Sequence, residues 1–146
     1  MAEKIEITVE IIAHATEDVE KILEPFLEQF DVPKEEFARQ NLTGHFENPI
    51  TLLRAKFKKN DARNFLNKLV SKIPEDGFSE IIEDIESHVQ DSTLHLRFGK
   101  QDLIKGRLTV QEKDAIKFKI FTPIYTKTDI VKNYVTLLTE TKSICG

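Results

Sequence analysis

The apolar positions of this chain follow two rhythms. Ile5, Ile7, Val9 and Ile11 alternate with Glu6, Thr8 and Glu10, the period of two that marks a strand with one buried face. That strand is expected to end near Ala15. Thr16 is expected to cap the helix that follows, with Glu17 and Asp18 in its electropositive first turn and Val19, Ile22, Leu23, Phe26, Leu27 and Phe30 as its apolar stripe. Pro25 interrupts the stripe. A missing N–H and a clash one turn back predict a kink or two short helical pieces, ending before Val32 and Pro33. Residues 36 to 43 read as a weaker strand and the segment GHFENPI at 44 to 50 as a turn. In the clear strand at 50 to 58, Leu53, Ala55 and Phe57 point one way and Arg54, Lys56 and Lys58 the other.

The rest of the chain continues in the same manner. Asn60 or Asp61 starts a helix that turns Phe65, Leu66, Leu69 and Val70 inward and stops near Pro74. An acidic helix from about Glu75 to Ser87 buries Phe78, Ile81, Ile82 and Ile85 and shows Glu80, Glu83, Asp84 and Glu86 to water. Leu94, Leu96 and Phe98 then alternate with His95 and Arg97, a looped or helical excursion spans about 99 to 105, and Leu108 and Val110 resume a strand. In the last strand Ile116, Phe118 and Ile120 alternate with Lys117 and Lys119, and a final amphipathic helix runs from about Thr126 to Thr139. This order lacks the regular crossovers of a doubly wound fold. It predicts an α+β architecture, a largely antiparallel sheet with helices packed on one face. The expected buried face holds Ile5, Ile7, Val9, Ile11, Leu53, Phe57, Leu94, Leu96, Phe98, Leu108, Val110, Ile116, Phe118 and Ile120.

Composition sets bounds on that picture. A length of 146 residues with 40% apolar content suits a single domain over 1–146. Cys145 is the only cysteine, so an internal disulfide is excluded. The first residues have no signal-peptide core, and no uninterrupted apolar run approaches the ~18 residues of a membrane span. A cytoplasmic protein with no membrane partner is expected.

Charge changes the picture more. Residues 1 to 53 carry four Lys/Arg against twelve Asp/Glu, residues 54 to 72 seven against one, residues 73 to 93 none against seven, and residues 94 to 119 seven against three. The net charge of −4 therefore hides two basic stretches, and both fall where the rhythm is that of a strand. The wet face of the sheet would hold Arg54, Lys56, Lys58, His95, Arg97, Arg107, Lys117 and Lys119. Such a density of cations repels itself unless something neutralises it. Glu6 and Glu10, or a second copy of the chain, are one source of neutralisation; the phosphates of RNA are the other. Phe57, Phe98 and Phe118 fall on the core side, and only Phe121 emerges. Shape and phosphate contacts to structured RNA are therefore expected rather than base stacking.

Catalytic chemistry finds little support. His14, His45, His88 and His95 show no metal-ligand spacing, and there is no phosphate-cradling glycine loop, nucleophile elbow or CxxC pair. No enzyme activity, metal or cofactor is expected. The alternative to RNA binding is an adaptor or dimeric structural protein that docks other proteins.

The segments GHFENPI (44 to 50) and LRFGKQDLIKG (96 to 106), set in this element order, resemble a family of small archaeal predicted RNA-binding proteins, sometimes called predicted exosome subunits. The matching residues are Gly44, His45, Asn48, Pro49 and Ile50 in the first segment, and Leu96, Arg97, Lys100, Gln101 and Gly106 in the second. The resemblance spans nearly the whole chain. It implies a fold similar to that of the large-subunit ribosomal protein that binds five-S ribosomal RNA, and a non-catalytic role near RNA processing or ribosome assembly, with RNA-processing proteins as further partners. His45, Lys100 and Gln101 join the candidate RNA contacts on this footing. Lys100 and Gln101 are expected in a loop between strands, where a cation and an amide suit contacts to an RNA backbone.

Overall fold

The computed structural model describes residues 4–43, 48–122 and 130–145. In chain order these form β1 (Glu6–His14), α1 (Val19–Phe30), a single 3-10 turn (Lys34–Glu36), β2 (Ala38–Thr43), β3 (Pro49–Lys58), α2 (Lys59–Lys72), α3 (Glu75–Glu83), α4 (Ile85–His88), β4 (Val89–Gln90), β5 (Thr93–Gly99), α5 (Lys100–Ile104), β6 (Ala115–Phe121) and α6 (Ile130–Cys145). The class is α+β. Its six strands form one open antiparallel sheet in the order β2-β3-β1-β6-β5-β4. The chain divides into two compact units, one of residues 8–56 and 97–118, the other of residues 1–7, 57–96 and 119–146. Among the described residues no helix is long and apolar enough to cross a membrane.

In the unit of residues 8–56 and 97–118, period-two alternation buries Val9, Ile11, Leu53, Phe98, Ile116 and Phe118. Helix α1 lies on them through aromatic contacts. The Phe26 and Phe30 rings are 4.6 Å apart, both lie 6.1 Å from Phe118, and Phe118 meets Phe98 edge-on at 5.7 Å. The helix is a single element through Pro25, not the two short pieces that were one of the expected alternatives. A proline inside a helix costs ~3 kcal/mol, whereas Ile22, Leu23, Phe26 and Phe30 are all buried, each contributing about 1.5–3 kcal/mol. The cap also differs from expectation. Asp18 rather than Thr16 closes the first turn, its Oδ1 accepting the Glu20 N–H at 3.0 Å. Strand β2 pairs with β3 from Ala38 opposite Arg54 to Thr43 opposite Pro49, and all six of its residues are exposed. Arg39 of β2 donates to Glu20 Oε1 of α1 at 2.8 Å. The expected strand at Leu108 and Val110 is reduced to a single bridge between Phe98 and Val110, although Leu108 is still buried.

In the other unit Ile5, Ile7, Phe57, Leu94, Leu96 and Ile120 are buried. Phe57 stacks on Phe65 of α2 at 4.7 Å, and the Lys59 N–H at the β3–α2 junction donates to Ile5 O at 3.1 Å. The acidic helix is two helices, α3 and α4, parted at Asp84. There Ser87 Oγ donates toward Asp84 O and Asp84 Oδ2 at 2.8 and 2.7 Å, local bonds of the kind that compete with the helical ladder. Helix α6 continues to Cys145, past the expected Thr139, and the expected start at 126–129 lies outside the described residues. Polar anchors explain the extra turns: Thr141 is fully buried and accepts from Arg63 Nη1 at 3.2 Å, and Lys142 Nζ donates to Ile73 O at 3.1 Å. Tyr134, also fully buried, donates its hydroxyl to Ser92 O at 2.6 Å.

The Phe26 ring touches Phe30, Phe37 and Phe118, so Phe26→Ala leaves a cavity among them. It is expected to lower unfolding free energy by about 3–5 kcal/mol, measured by urea denaturation. A loss below about 1 kcal/mol would contradict the central place given to this cluster.

Candidate nucleic-acid interface

The cations named from the strand rhythm fall on the outward positions of their strands. In the unit of residues 8–56 and 97–118 these are Arg54 and Lys56 of β3, both exposed, with Lys117 of β6 and Arg97 of β5, both half-buried. In the other unit Lys58 is exposed, and His95 and Lys119 are half-buried. Arg54 is matched by a carboxylate. Arg54 donates from Nε and Nη2 to a single oxygen, Glu10 Oε2, at 3.1 and 2.6 Å, the cross-strand pairing that competes with phosphate. With Arg54 half exposed, such a pair is worth at most about 1 kcal/mol, little enough for a phosphate to displace. Arg97 is different. Among the described residues its guanidinium makes no ion pair, while its backbone carbonyl accepts from Gln111 N–H at 3.1 Å.

Three residues are placed otherwise than expected. Arg107 is not on a strand; it follows α5, with Nη2 3.7 Å from Asp102 Oδ1. Lys100 is not in a loop but opens α5, with 1% of its surface exposed. Its ammonium donates to Ile12 O at 2.9 Å, Glu17 Oε1 at 2.7 Å and Asp114 Oδ1 at 2.8 Å. A lysine with all three donors used inside the fold has none left for a phosphate. Gln101 is exposed, but its Nε2 lies 3.3 Å from Glu17 Oε2, in the same network. His45 lies outside the described residues.

The surroundings of Lys100 explain two backbone features. Gly99 N–H donates to Thr109 O at 2.8 Å and Lys100 N–H to Asp114 O at 2.9 Å. A Cβ on Gly99 would come within 2.7 Å of Gln111 Oε1, the end of a flexible side chain, so the glycine lets Gln111 lie close against the backbone here. Asp114 adopts a left-handed φ of 51°, which delivers its carboxylate to the ammonium. Burial alone would raise the Glu17 carboxyl. The Lys100 hydrogen bond, the His14 N–H and the Lys100 charge outweigh it and hold the group below its ordinary 4.5. The same opposition, again won by Lys100, holds Asp114 below 3.8. His14, Glu17 and Asp114 bring one ligand atom each within 4.8 Å of the others, the spacing of a cation site, but the Lys100 ammonium binds both carboxylates and supplies the positive charge.

A feature the sequence rhythm left unnoticed is a cleft of about 440 Å³ on the outer side of the sheet in this unit, lined in part by Ile12, Leu42, Ile50, Leu52 and Ala115, with Arg97 and Lys117 among its walls. Ile50 and Leu52 share the parity of Arg54 along β3, and Leu42 is the direct partner of Ile50. The signal was present in that parity. It is weak, because isolated apolar residues on a surface are ordinary.

Lys100→Met removes the ammonium and leaves two facing carboxylates. The expected loss at pH 7 is about 3 kcal/mol, the lower end for a broken buried ion pair because both acids keep some access to water. A carboxyl whose folded pKa is depressed stabilises the fold above its unfolded pKa, and that contribution disappears as pH falls through the folded value. The gap between wild type and Lys100→Met should therefore narrow as pH drops below about 4.5, followed by urea denaturation across pH. A gap equally wide at pH 7 and in strong acid would contradict this account.

A family model described as RNA binding matches residues 6–122. An uncharacterized protein of Methanocaldococcus jannaschii is 31% identical over 123 residues, covering 77% of this chain and 83% of its own. A protein of Pyrococcus abyssi named as RNA-binding is 32% identical over 121 residues, covering 78% and 79%. The crystal structure of a protein from Sulfolobus solfataricus superimposes with a TM-score of 0.73 at 27% identity, covering 92% of this chain and 98% of that one. With the model matched across β1 to β6, this chain belongs to the RNA-binding family that the model describes.

Proposed function

We propose that the protein binds structured RNA without catalysing a reaction, holding phosphates against the outer face of its sheet. The observation that carries this reading is the alternation in β3, β5 and β6, which buries Ala55, Phe98 and Phe118 and turns Lys56, Arg97 and Lys117 outward. The family description and the name of the Pyrococcus relative support RNA as the polyanion. Arg97 is the residue best suited to grip a phosphate, because a guanidinium donates two parallel hydrogen bonds and no carboxylate among the described residues pairs with it. In the same unit as Arg97, Lys56 and Lys117 act as point charges, and Arg54 joins when phosphate displaces Glu10; in the other unit Lys58, His95 and Lys119 are further candidate contacts. Gln101 and Arg107 stand at the margin, and Lys100 serves the fold instead. The setting this suits is RNA processing or ribosome-related assembly in the cytoplasm, with RNA-processing proteins as further partners.

Replacing Lys56, Arg97 and Lys117 together with Glu should abolish binding of a structured RNA in a gel-shift assay without lowering the melting temperature appreciably. For the wild-type protein, log affinity should fall linearly with log salt, by roughly 0.7–0.9 for each phosphate contact. Unchanged affinity in the folded triple variant would remove this site. Salt-independent, weak binding by wild type, together with a discrete protein complex or dimer in light scattering, would favour the adaptor reading, in which Arg54 and Glu10 are simply a surface pair.

A further inference from the structure

We propose that the outer-face cleft is a subsite for one unpaired nucleotide of the bound RNA, a bulged or loop residue rather than a duplex base pair. The inference rests on the RNA reading above and names what part of the RNA this surface takes. Its ground is a combination that phosphate contacts alone do not explain. A face that only met a phosphate backbone would gain nothing from exposed aliphatic side chains, yet Ile12 and Leu42 are 43% and 37% exposed, and Ile50 and Leu52 line the same cleft.

The register brings these side chains together. Leu42 stands opposite Ile50 and Gln40 opposite Leu52. Continuing the pairing that sets Arg54 beside Glu10, Ile12 stands beside Leu52. The result is a flat aliphatic floor with Arg97 and Lys117 at its wall. A volume of about 440 Å³ lies within the roughly 300–1,000 Å³ of clefts that hold small ligands.

The occupant must pair a planar, weakly polar body with an adjacent negative charge. An unpaired nucleotide has that form: base faces pack on apolar side chains once pulled from the stack, and the 5′ or 3′ phosphate then lies beside the base, where a guanidinium can reach it. Duplex RNA offers phosphates but keeps its base faces stacked. The carboxylates around the cleft are compatible with this occupant. Glu10 is neutralised by Arg54 and Asp114 by Lys100, and Glu112, the third carboxylate of the lining, can accept hydrogen bonds from amino groups on base edges. Among the described residues the cleft wall contains no Phe, Tyr or Trp, its one ring being the His14 imidazole, so the packing is chiefly aliphatic and tolerant of base identity.

The test compares two RNA hairpins by fluorescence anisotropy, one fully paired and one identical except for a single bulged nucleotide. Wild type should bind the bulged hairpin about tenfold more tightly. The double variant Ile12→Ala/Leu52→Ala should lose that preference to within about twofold while binding the paired hairpin as wild type does. Leu42→Ser, at an exposed edge position, is a second variant that should reduce the preference should the double variant fold poorly. Equal binding of both hairpins by wild type overturns the subsite and leaves RNA binding standing. So does a bulge preference that persists in the folded variants. Failure of wild type to bind either hairpin removes the RNA reading and the subsite with it. A dimer or protein complex lost in Ile12→Ala/Leu52→Ala, without any RNA preference, would assign the apolar floor to a protein partner instead.

Discussion

The burial of one side of the sheet beneath phenylalanine-rich helices is the constraint on which the rest depends. A strand has only two faces, so once Ile7, Val9, Leu53, Phe57, Phe98 and Phe118 are committed to the interior, every intervening residue must be wet. The outward placement of Arg54, Lys56, Arg97 and Lys117 is thus a by-product of packing as much as a feature added to it. The same constraint accounts for the unbroken run of α1 through Pro25, where aromatic burial outweighs a local backbone penalty.

Against this oily interior the Lys100 ammonium is the principal buried charge among the described residues. It joins the end of β1 through Ile12 O, the following turn through Glu17 and the approach to β6 through Asp114. A buried ion pair adds little net stability compared with an apolar core, but it specifies geometry, since an unmatched charge is costly. The cleft draws on residues from the same neighbourhood, Ile12 and Asp114 among them, so the ion cluster fixes backbone that also shapes the proposed nucleotide site.

The period-two strands were legible because their signal is local: six residues of β1 or β6 suffice to assign inside and outside. The α+β class and the outward placement of Arg54, Lys56, Arg97 and Lys117 followed. What was not legible depends on distance along the chain. Lys100 looks like any polar loop residue until Glu17, 83 residues away, is known to meet it. Arg54 looks available until Glu10, 44 residues away, is seen to hold it. Leu52 looks like an isolated surface leucine until β1 and β2 bring Ile12 and Leu42 beside the same cleft. The break at Asp84 and the reach of α6 to Cys145 were missed for a different reason, since side-chain bonds by Ser87 and Thr141 decided them and leave no mark on hydropathy.

Strand β3 carries core and charge on alternate residues without interruption from Leu53 to Lys58. A single inserted or deleted residue there, unless taken up by a bulge, would rotate Arg54 and Lys56 into the hydrocarbon interior and expel Phe57 into water. Exchanging one outward side chain for another carries no such penalty. The outward surface of β3 is therefore open to change in the letters of the strand but closed to change in its spacing.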